Sequence, residues 1–302
     1  MALNSKESVL ITGSTGFIGR NLLPKLLADG HAVLAVTSNQ NKVQSMFGIE
    51  SVDIHSYLNG FAKREIQEFK PTAMVHLAWS GLPDYSIENN KHNLQIGIDV
   101  IDAAVAFGVE RFIGSGSCWE YGSLSGPLKE NMDPENVGDF GNAKISLANY
   151  MLERAQEVSG IGNWLRLFYV FGEGQRERSV IPSVISSFQK EKTPELNDVN
   201  KALDFIHVED VAEIITRVLS RSNESEIINV GSGHPTSISS LIDIIANTMS
   251  IDFRNTFSKV IDDKNKSWAD TQKVSEKFNF RVKTTMQERI SELTNGKNNV
   301  DN

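Results

Sequence analysis

The 302-residue sequence predicts an α/β protein: a doubly wound parallel sheet with a smaller, mostly helical C-terminal portion. Three observations point there. A glycine-punctuated strand-to-helix turn lies near the N-terminus, short apolar strands alternate with helical segments as far as residue 170, and that alternation loosens afterwards.

The turn is Val9-Leu10-Ile11-Thr12-Gly13-Ser14-Thr15-Gly16-Phe17-Ile18-Gly19, an apolar run broken by three evenly spaced glycines before Arg20-Asn21-Leu22-Leu23. Gly13 permits a turn that a Cβ would obstruct, Gly16 lets the backbone approach a pyrophosphate, and Gly19 lets the helix pack against the strand. The helix start then offers unpaired N–H groups and the positive end of its dipole to an anion. The Gly-x-x-Gly-x-x-Gly spacing matches the general dinucleotide fingerprint in outline. Its setting, with a strand before, a helix after and a second apolar strand soon following, favours a Rossmann-type nucleotide site over a plain glycine-rich turn.

Positions 21–28 read as a helix with leucines at 22, 23, 26 and 27, ended by Asp29-Gly30, and 32–36 read as the second strand. Where an acidic residue would take the ribose 2′-OH of NAD, the chain offers Thr37-Ser38-Asn39. No carboxylate there repels a 2′-phosphate, and Arg20 and Lys42 are near in sequence to pair with one. NADP is therefore expected ahead of NAD, with a merely solvated loop as the competing reading. Met74-Val75-His76-Leu77-Ala78 is a further buried strand, whose carboxyl end shares the sheet edge with the glycine turn. A helix over 93–107 stops at Gly108. Arg111-Phe112-Ile113-Gly114 then opens into Ser115-Gly116-Ser117-Cys118-Trp119-Glu120-Tyr121-Gly122, and small hydroxyl residues at a strand's carboxyl end suit a sheet-edge active site, although alone they are turn formers.

Phe140 and Lys144 are four apart and share a face leading into a helix over 145–157. The stretch 163–170 reads as a strand running into Phe171-Gly172-Glu173-Gly174. Helices follow over 181–189 and 211–220, with a short strand over 202–208 between them and a last strand and turn over 227–233. The final seventy residues read as helical and charged, with a frayed polar tail over 295–302. The expected division is a dinucleotide-binding portion over 1–170, with a return contribution from about 202–230, and a substrate-binding portion over 171–302.

A net charge of -8 argues against nucleic acid and anionic membranes as partners. The single cysteine, Cys118, excludes an intramolecular disulfide and a cysteine-rich metal site. No histidine pair has ligand spacing, so no metal is expected, and His76 and His207 read as buried structural residues. With no signal-like N-terminus and no apolar stretch long enough to span a bilayer, a cytoplasmic location is expected.

Further motifs add to the glycine turn: His76-Leu77-Ala78, Asn93, Ser115-Gly116-Ser117 with Tyr121-Gly122, Arg166-Leu167-Phe168-Tyr169-Val170-Phe171-Gly172, Asp204-Phe205-Ile206-His207-Val208-Glu209-Asp210, Asn229-Val230-Gly231-Ser232-Gly233, and Trp268-Ala269-Asp270 with Lys273. In this order they resemble the extended short-chain dehydrogenase/reductases, in particular the nucleotide-sugar epimerase, dehydratase and reductase family, over nearly the whole chain. The resemblance implies a catalytic set at Ser117, position 140 and Lys144, where the family's Tyr-x-x-x-Lys tyrosine is replaced by Phe140. A phenyl ring keeps the volume and cannot exchange a proton. The cofactor contacts it implies are Gly13, Thr15, Gly16, Phe17, Ile18, Gly19, Arg20, Thr37, Leu58, Leu77, Ala78, Asn93 and Lys144. For substrate it implies Trp79, Ser117, Trp119, Tyr169 and Arg178, with packing as the competing role for Trp119 and Tyr169.

The family's dehydratases carry an Asp-Glu pair after the catalytic hydroxyl residue, and Cys118-Trp119 stand there instead, which disfavours dehydration. The runs around Ser117 and Arg166 look most like 6-deoxyhexulose reductases of the CDP-abequose synthase and dTDP-6-deoxytalose dehydrogenase kinds. The resemblance thus implies an NADP(H)-dependent reductase of a nucleoside-diphosphate 4-keto-6-deoxyhexose, acting as a homodimer. A nucleotide-sugar 4-epimerase and a non-catalytic nucleotide-sugar or dinucleotide binder are the alternatives. The retention of Ser117, Lys144 and Asn93 favours catalysis.

Overall fold

The chain, seen in a computed structural model that describes residues 6–196, 199, 201–254 and 262–295, begins with the expected strand-turn-helix. The first half comprises β1 (Ser8–Thr12), α1 (Phe17–Ala28), β2 (Ala32–Thr37), α2 (Gln40–Phe47), β3 (Ser51–Asp53), α3 (Ile54–Leu58), α4 (Lys63–Phe69), β4 (Ala73–His76), α5 (Ile87–Ala106) and β5 (Arg111–Ser117). There follow β6 (Gly126–Leu128), α6 (Asp139–Glu157), β7 (Ile161–Leu167), β8 (Tyr169–Phe171), α7 (Val180–Gln189), β9 (Ala202–His207), α8 (Val208–Arg221) and β10 (Glu226–Val230). The remainder is β11 (Pro235–Ser237), α9 (Ile238–Thr248), β12 (Lys266–Ala269), α10 (Gln272–Phe278) and α11 (Met286–Asn295).

Seven parallel strands form the main sheet in the order β10-β7-β5-β4-β1-β2-β3. The inner strands β1, β4, β5 and β7 bury both faces, which is why their runs are largely apolar rather than alternating. Along β1, Val9 and Ile11 join Leu22, Leu26, Ile214 and Val218 on one face, while Leu10 joins Val100, Phe112, Leu147 and Trp164 on the other. The strand order reverses direction between β1 and β4, so the crevice outside their carboxyl ends is the place for a ligand.

The strand expected over 163–170 is two. At Phe168 the backbone N–H donates to the Val230 carbonyl at 2.9 Å, and the side chain packs with Tyr121, Leu128 and Ala269, so β7 stays in the main sheet while β8 leaves to pair with β9. β4 ends at His76, leaving Leu77 and Ala78 in the loop beyond it. Five helices, α1, α5, α6, α7 and α8, start earlier than their apolar periodicity suggested, α5 by six residues because Ser86 caps it, accepting from the Asn89 N–H at 3.3 Å.

The C-terminal part is mostly helical, as expected, and adds short strands to a second sheet. β11, β9, β12, β6 and β8 make a second, five-stranded sheet, against which α7, α9 and α11 bury Val184, Ile185, Leu241, Ile245 and Ile290. Its junction with the main sheet is a knot at Asp204, a fully buried carboxylate accepting from the N–H groups of Ser232 at 2.7 Å, Gly233 at 2.9 Å and Ala269 at 3.0 Å. The polar tail past 295 lies outside the described residues.

Candidate active site

The three glycines do different work from one another. Gly13 sits at φ +72°, and a Cβ there would stand 2.8 Å from Ala78 N, so this glycine lets the β1 turn and the loop after β4 touch. A Cβ on Gly19 would lie 2.2 Å from the Gly13 carbonyl oxygen, which fixes how closely α1 docks on the turn. Gly16 is the N-cap of α1, without a side-chain cap and with no acidic residue in the first turn. The first N–H groups and the helix dipole are thereby left for an anion. Thr12 Oγ1 locks the arrangement, lying 2.8 Å from His76 Nδ1 and accepting from Ala78 N at 3.3 Å. This backbone cradle, which any Cβ would fill, fits the diphosphate of a dinucleotide.

The turn opens into a cleft of about 790 Å³ that brings together Gly13, Thr15, Gly16, Phe17, Ile18, Gly19, Leu77, Ala78, Trp79, Ser117, Trp119, Phe140, Lys144, Tyr169 and Arg178. Four residues assigned by sequence to the cofactor are not among its lining. Thr37 accepts from Asn39 N at 3.1 Å at the end of β2, and Leu58, the last residue of α3, packs partly buried against the core. Asn93 is buried and braces the loop after β4, accepting from Ser80 N at 2.6 Å and donating to the Ser80 carbonyl at 3.1 Å. Arg20 donates to the Thr15 carbonyl at 3.4 Å and lies against Gly174, at the turn itself.

Ser117 ends β5, and its Oγ accepts from the Trp119 N–H at 3.2 Å, which leaves its own O–H to donate into the cleft. Lys144, on the second turn of α6, is only 5% exposed and donates from Nζ to the Ser115 carbonyl at 2.8 Å. Its ammonium lies 3.9 Å from the Trp79 ring centre. Burial brings its pKa down to about 7, against the opposing pull of Glu120. His76 is neutral for related reasons, with burial first and the Lys144 charge second bringing it to about 3.

Under Ser117 lies a polar floor. Glu120 is fully buried and accepts from Ser117 N at 2.8 Å, Trp164 Nε1 at 3.0 Å and Arg166 Nε at 2.8 Å. Arg166 also donates to the Glu130 carbonyl at 3.2 Å and covers the Tyr121 ring at 4.6 Å. Such a pair tolerates burial because its lone pairs and protons are used. Cys118 follows Ser117 with its thiol pushed up to about 12, chiefly by burial, and so is no nucleophile near neutrality.

Phe140 is the hub of an aromatic group. Its ring meets Trp79 at 5.5 Å, Tyr85 at 5.2 Å and Trp119 at 5.6 Å, each edge-on, and Tyr85 and Trp119 lie 4.9 Å apart. Sequence reasoning missed Tyr85. It lies in the loop between β4 and α5, whose early residues Leu77 and Ala78 were assigned, and the signal available was an aromatic residue just before the Ser86 cap. Among the described residues no group of three or more His, Cys, Asp or Glu could hold a metal ion, and no helix is long and apolar enough to cross a membrane.

An uncapped helix start at the switch point of a parallel sheet, facing a serine and a buried lysine across one cleft, places the molecule in the NAD(P)-binding α/β class. More particularly, the profile of the NAD dependent epimerase/dehydratase family matches residues 9–231, and the chain belongs to that family, whose members are NAD(P)-dependent oxidoreductases and epimerases acting on nucleotide sugars. The chain is 25% identical over 252 residues to dTDP-6-deoxy-L-talose 4-dehydrogenase (NAD(+)) of Aggregatibacter actinomycetemcomitans, covering 78% of this chain and 88% of that one. It is 24% identical over 220 residues to CDP-abequose synthase of Yersinia pseudotuberculosis, covering 71% and 74%. Among solved structures, UDP-glucose 4-epimerase of Thermotoga maritima with UDP-glucose superposes with a TM-score of 0.82 at 21% identity, covering 96% of this chain and 99% of that chain. The Bordetella bronchiseptica enzyme WbmG in complex with NAD gives 0.81 at 21% identity, covering 98% and 95%.

Proposed function

We propose that this protein is an NADP(H)-dependent reductase of a nucleoside-diphosphate 4-keto-6-deoxyhexose. The observation that carries the reading is the residue set at the end of β5. Ser117 presents a hydroxyl to the cleft, while the next two side chains are a half-buried thiol with a raised pKa and an indole, neither able to serve as the second acid and base that eliminating water requires. Two relatives bear the names of a deoxysugar dehydrogenase and a deoxysugar synthase, which supports the same substrate class.

The glycine cradle and the start of α1 would hold the cofactor's diphosphate, and Lys144 its nicotinamide ribose. The bound cofactor supplies a hydride. Ser117 orients the ketone by donating to its oxygen, and the aromatic group excludes water around it. Arg178, from the loop before α7, meets the substrate diphosphate. NADP is preferred because Thr37, Ser38 and Asn39 carry no charge to repel a 2′-phosphate. Lys42 supplies the attraction from the first turn of α2, where its N–H already bonds Asn39 Oδ1 at 2.9 Å.

Reduction of dTDP-, GDP- and CDP-linked 4-keto-6-deoxyhexoses, followed by loss of NADPH absorbance, tests the reaction. Turnover of at least one of these is expected, and inertness toward all of them overturns the reading. Calorimetric titration tests the cofactor. NADPH should bind more tightly than NADH and lose that advantage in Lys42→Ala, whereas equal or tighter binding of NADH rejects the preference.

A further inference from the structure

We propose that Tyr85 supplies the proton that Phe140 cannot, an inference that rests on the reductase reading above. The chain has five tyrosines. Tyr57 donates to the Val100 carbonyl at 3.1 Å, Tyr121 to Asn229 Oδ1 at 2.7 Å, and Tyr150 to Asp102 Oδ1 at 2.6 Å, all away from the cleft. The other two, Tyr85 and Tyr169, line the cleft. Tyr169 leans on Phe205 of β9 at 5.9 Å. Tyr85 lies 5.2 Å from Phe140 at an interplanar angle of 73°, beside the ring that occupies the acid's place.

Two further features suit Tyr85 to the task. No protein group among the described residues takes its hydroxyl, and the residue is 37% exposed, so the phenol can give a proton inward and recover one from water. It is also held still. Its carbonyl accepts from Asn90 Nδ2 at 3.0 Å, and Asn89 Nδ2 ties the same loop through the Ser80 carbonyl at 3.1 Å and the Asp84 carbonyl at 2.8 Å. A donor braced in this way does not spend the reaction's binding energy on being ordered.

The step balances. The carbonyl carbon gains a hydride from the reduced nicotinamide, the C–O π pair moves onto oxygen, and that oxygen takes the Tyr85 proton. The phenolate regains a proton from solvent. The ketone is reduced, the cofactor oxidised, and no other reactant is needed.

The test compares the native protein with Tyr85→Phe, Phe140→Tyr and the double variant, using the same three nucleotide ketosugars with NADPH. It adds calorimetric binding of dTDP-, GDP- and CDP-linked 6-deoxyhexoses and of the free nucleoside diphosphates. Tyr85→Phe should lower kcat by about 10² to 10⁴ and leave NADPH binding unchanged. Phe140→Tyr should restore the rate in the Tyr85→Phe background, which a merely structural role for Tyr85 would not allow. Affinity for the nucleotide hexose should fall roughly fivefold, the worth of one neutral hydrogen bond, with that for the free nucleoside diphosphate unchanged. Undiminished kcat in Tyr85→Phe, or an inert native protein that Phe140→Tyr activates, overturns the proposal. If no form reduces any ketosugar, the reductase reading fails by itself. The differential binding then decides Tyr85: its absence removes the hydroxyl from the sugar site.

Discussion

The two ends of the cleft are made of different material. The end at β1 is backbone: a glycine at positive φ, an uncapped helix start, and a threonine tying two loops together. The end at β5 is side chain: a hydroxyl, a buried lysine and four aromatic rings drawn from three separate segments of the chain. Backbone can bind a diphosphate common to many ligands, whereas side chains on loops can be exchanged without disturbing the sheet. Under the proposed reading the first end would set the class of ligand and the second which member of that class fits.

The largest expected effect breaks the side-chain end from below. Arg166→Met leaves Glu120 charged, buried and short of its partner, and should cost about 3–5 kcal/mol in denaturant unfolding. A loss below about 1 kcal/mol would mean that the floor is not an essential support. Next comes the backbone end. Gly19→Ala forces a Cβ to 2.2 Å from the Gly13 carbonyl, and overpacking of this kind costs about 1–3 kcal/mol. Calorimetry should show cofactor affinity reduced roughly tenfold with nucleotide-sugar affinity preserved. Phe140→Ala sharpens the contrast in the opposite sense. Losing the edge-on contacts at about 0.5–1.5 kcal/mol each should weaken the sugar and spare the cofactor. A variant that damages both affinities equally would dissolve the distinction.

The last expected effect is in pH. His76 is held near 3 and Lys144 near 7, both below their ordinary values, so over 3–6.5 and 7–10.5 respectively the unfolded chain binds more protons than the folded one. Stability therefore rises with pH across each window. Melting temperatures of the ligand-free protein should show His76→Asn flattening the acidic slope and Lys144→Met the alkaline one. Unchanged slopes would mean that these groups titrate normally in the fold.

The same division decided what could be read in advance. A backbone site leaves a mark at short range, because only glycine tolerates φ +72° at position 13 or the approach at position 19, and the spacing of the three is visible in one line of sequence. Doubly buried strands are likewise plain as apolar runs. The turn between β7 and β8 was hidden, since Phe168 is as apolar as its neighbours and only the distant Val230 carbonyl tells it where to leave the sheet. The short strands β6, β11 and β12 carry too few residues for a period to emerge and exist through pairing with partners far along the chain. Tyr85 left only the faint mark of an aromatic residue before a helix cap, because its setting depends on Phe140, more than fifty residues away.

Asp204 has a bearing on how such a protein can diversify. One carboxylate gathers Ser232, Gly233 and Ala269, and Asn229 Nδ2 of β10 donates to the Leu128 carbonyl of β6 at 2.8 Å, so the second sheet is anchored from within its strands rather than through the loops that line the cleft. The stretch between β8 and β9, which carries Arg178 and α7, starts and finishes on strands paired to each other with Tyr169 opposite Phe205. It is a cassette with matched ends. Exchange of that stretch between relatives would alter the walls of the cleft and leave the anchor in register, giving new selectivity a route that does not pass through an unfolded ancestor.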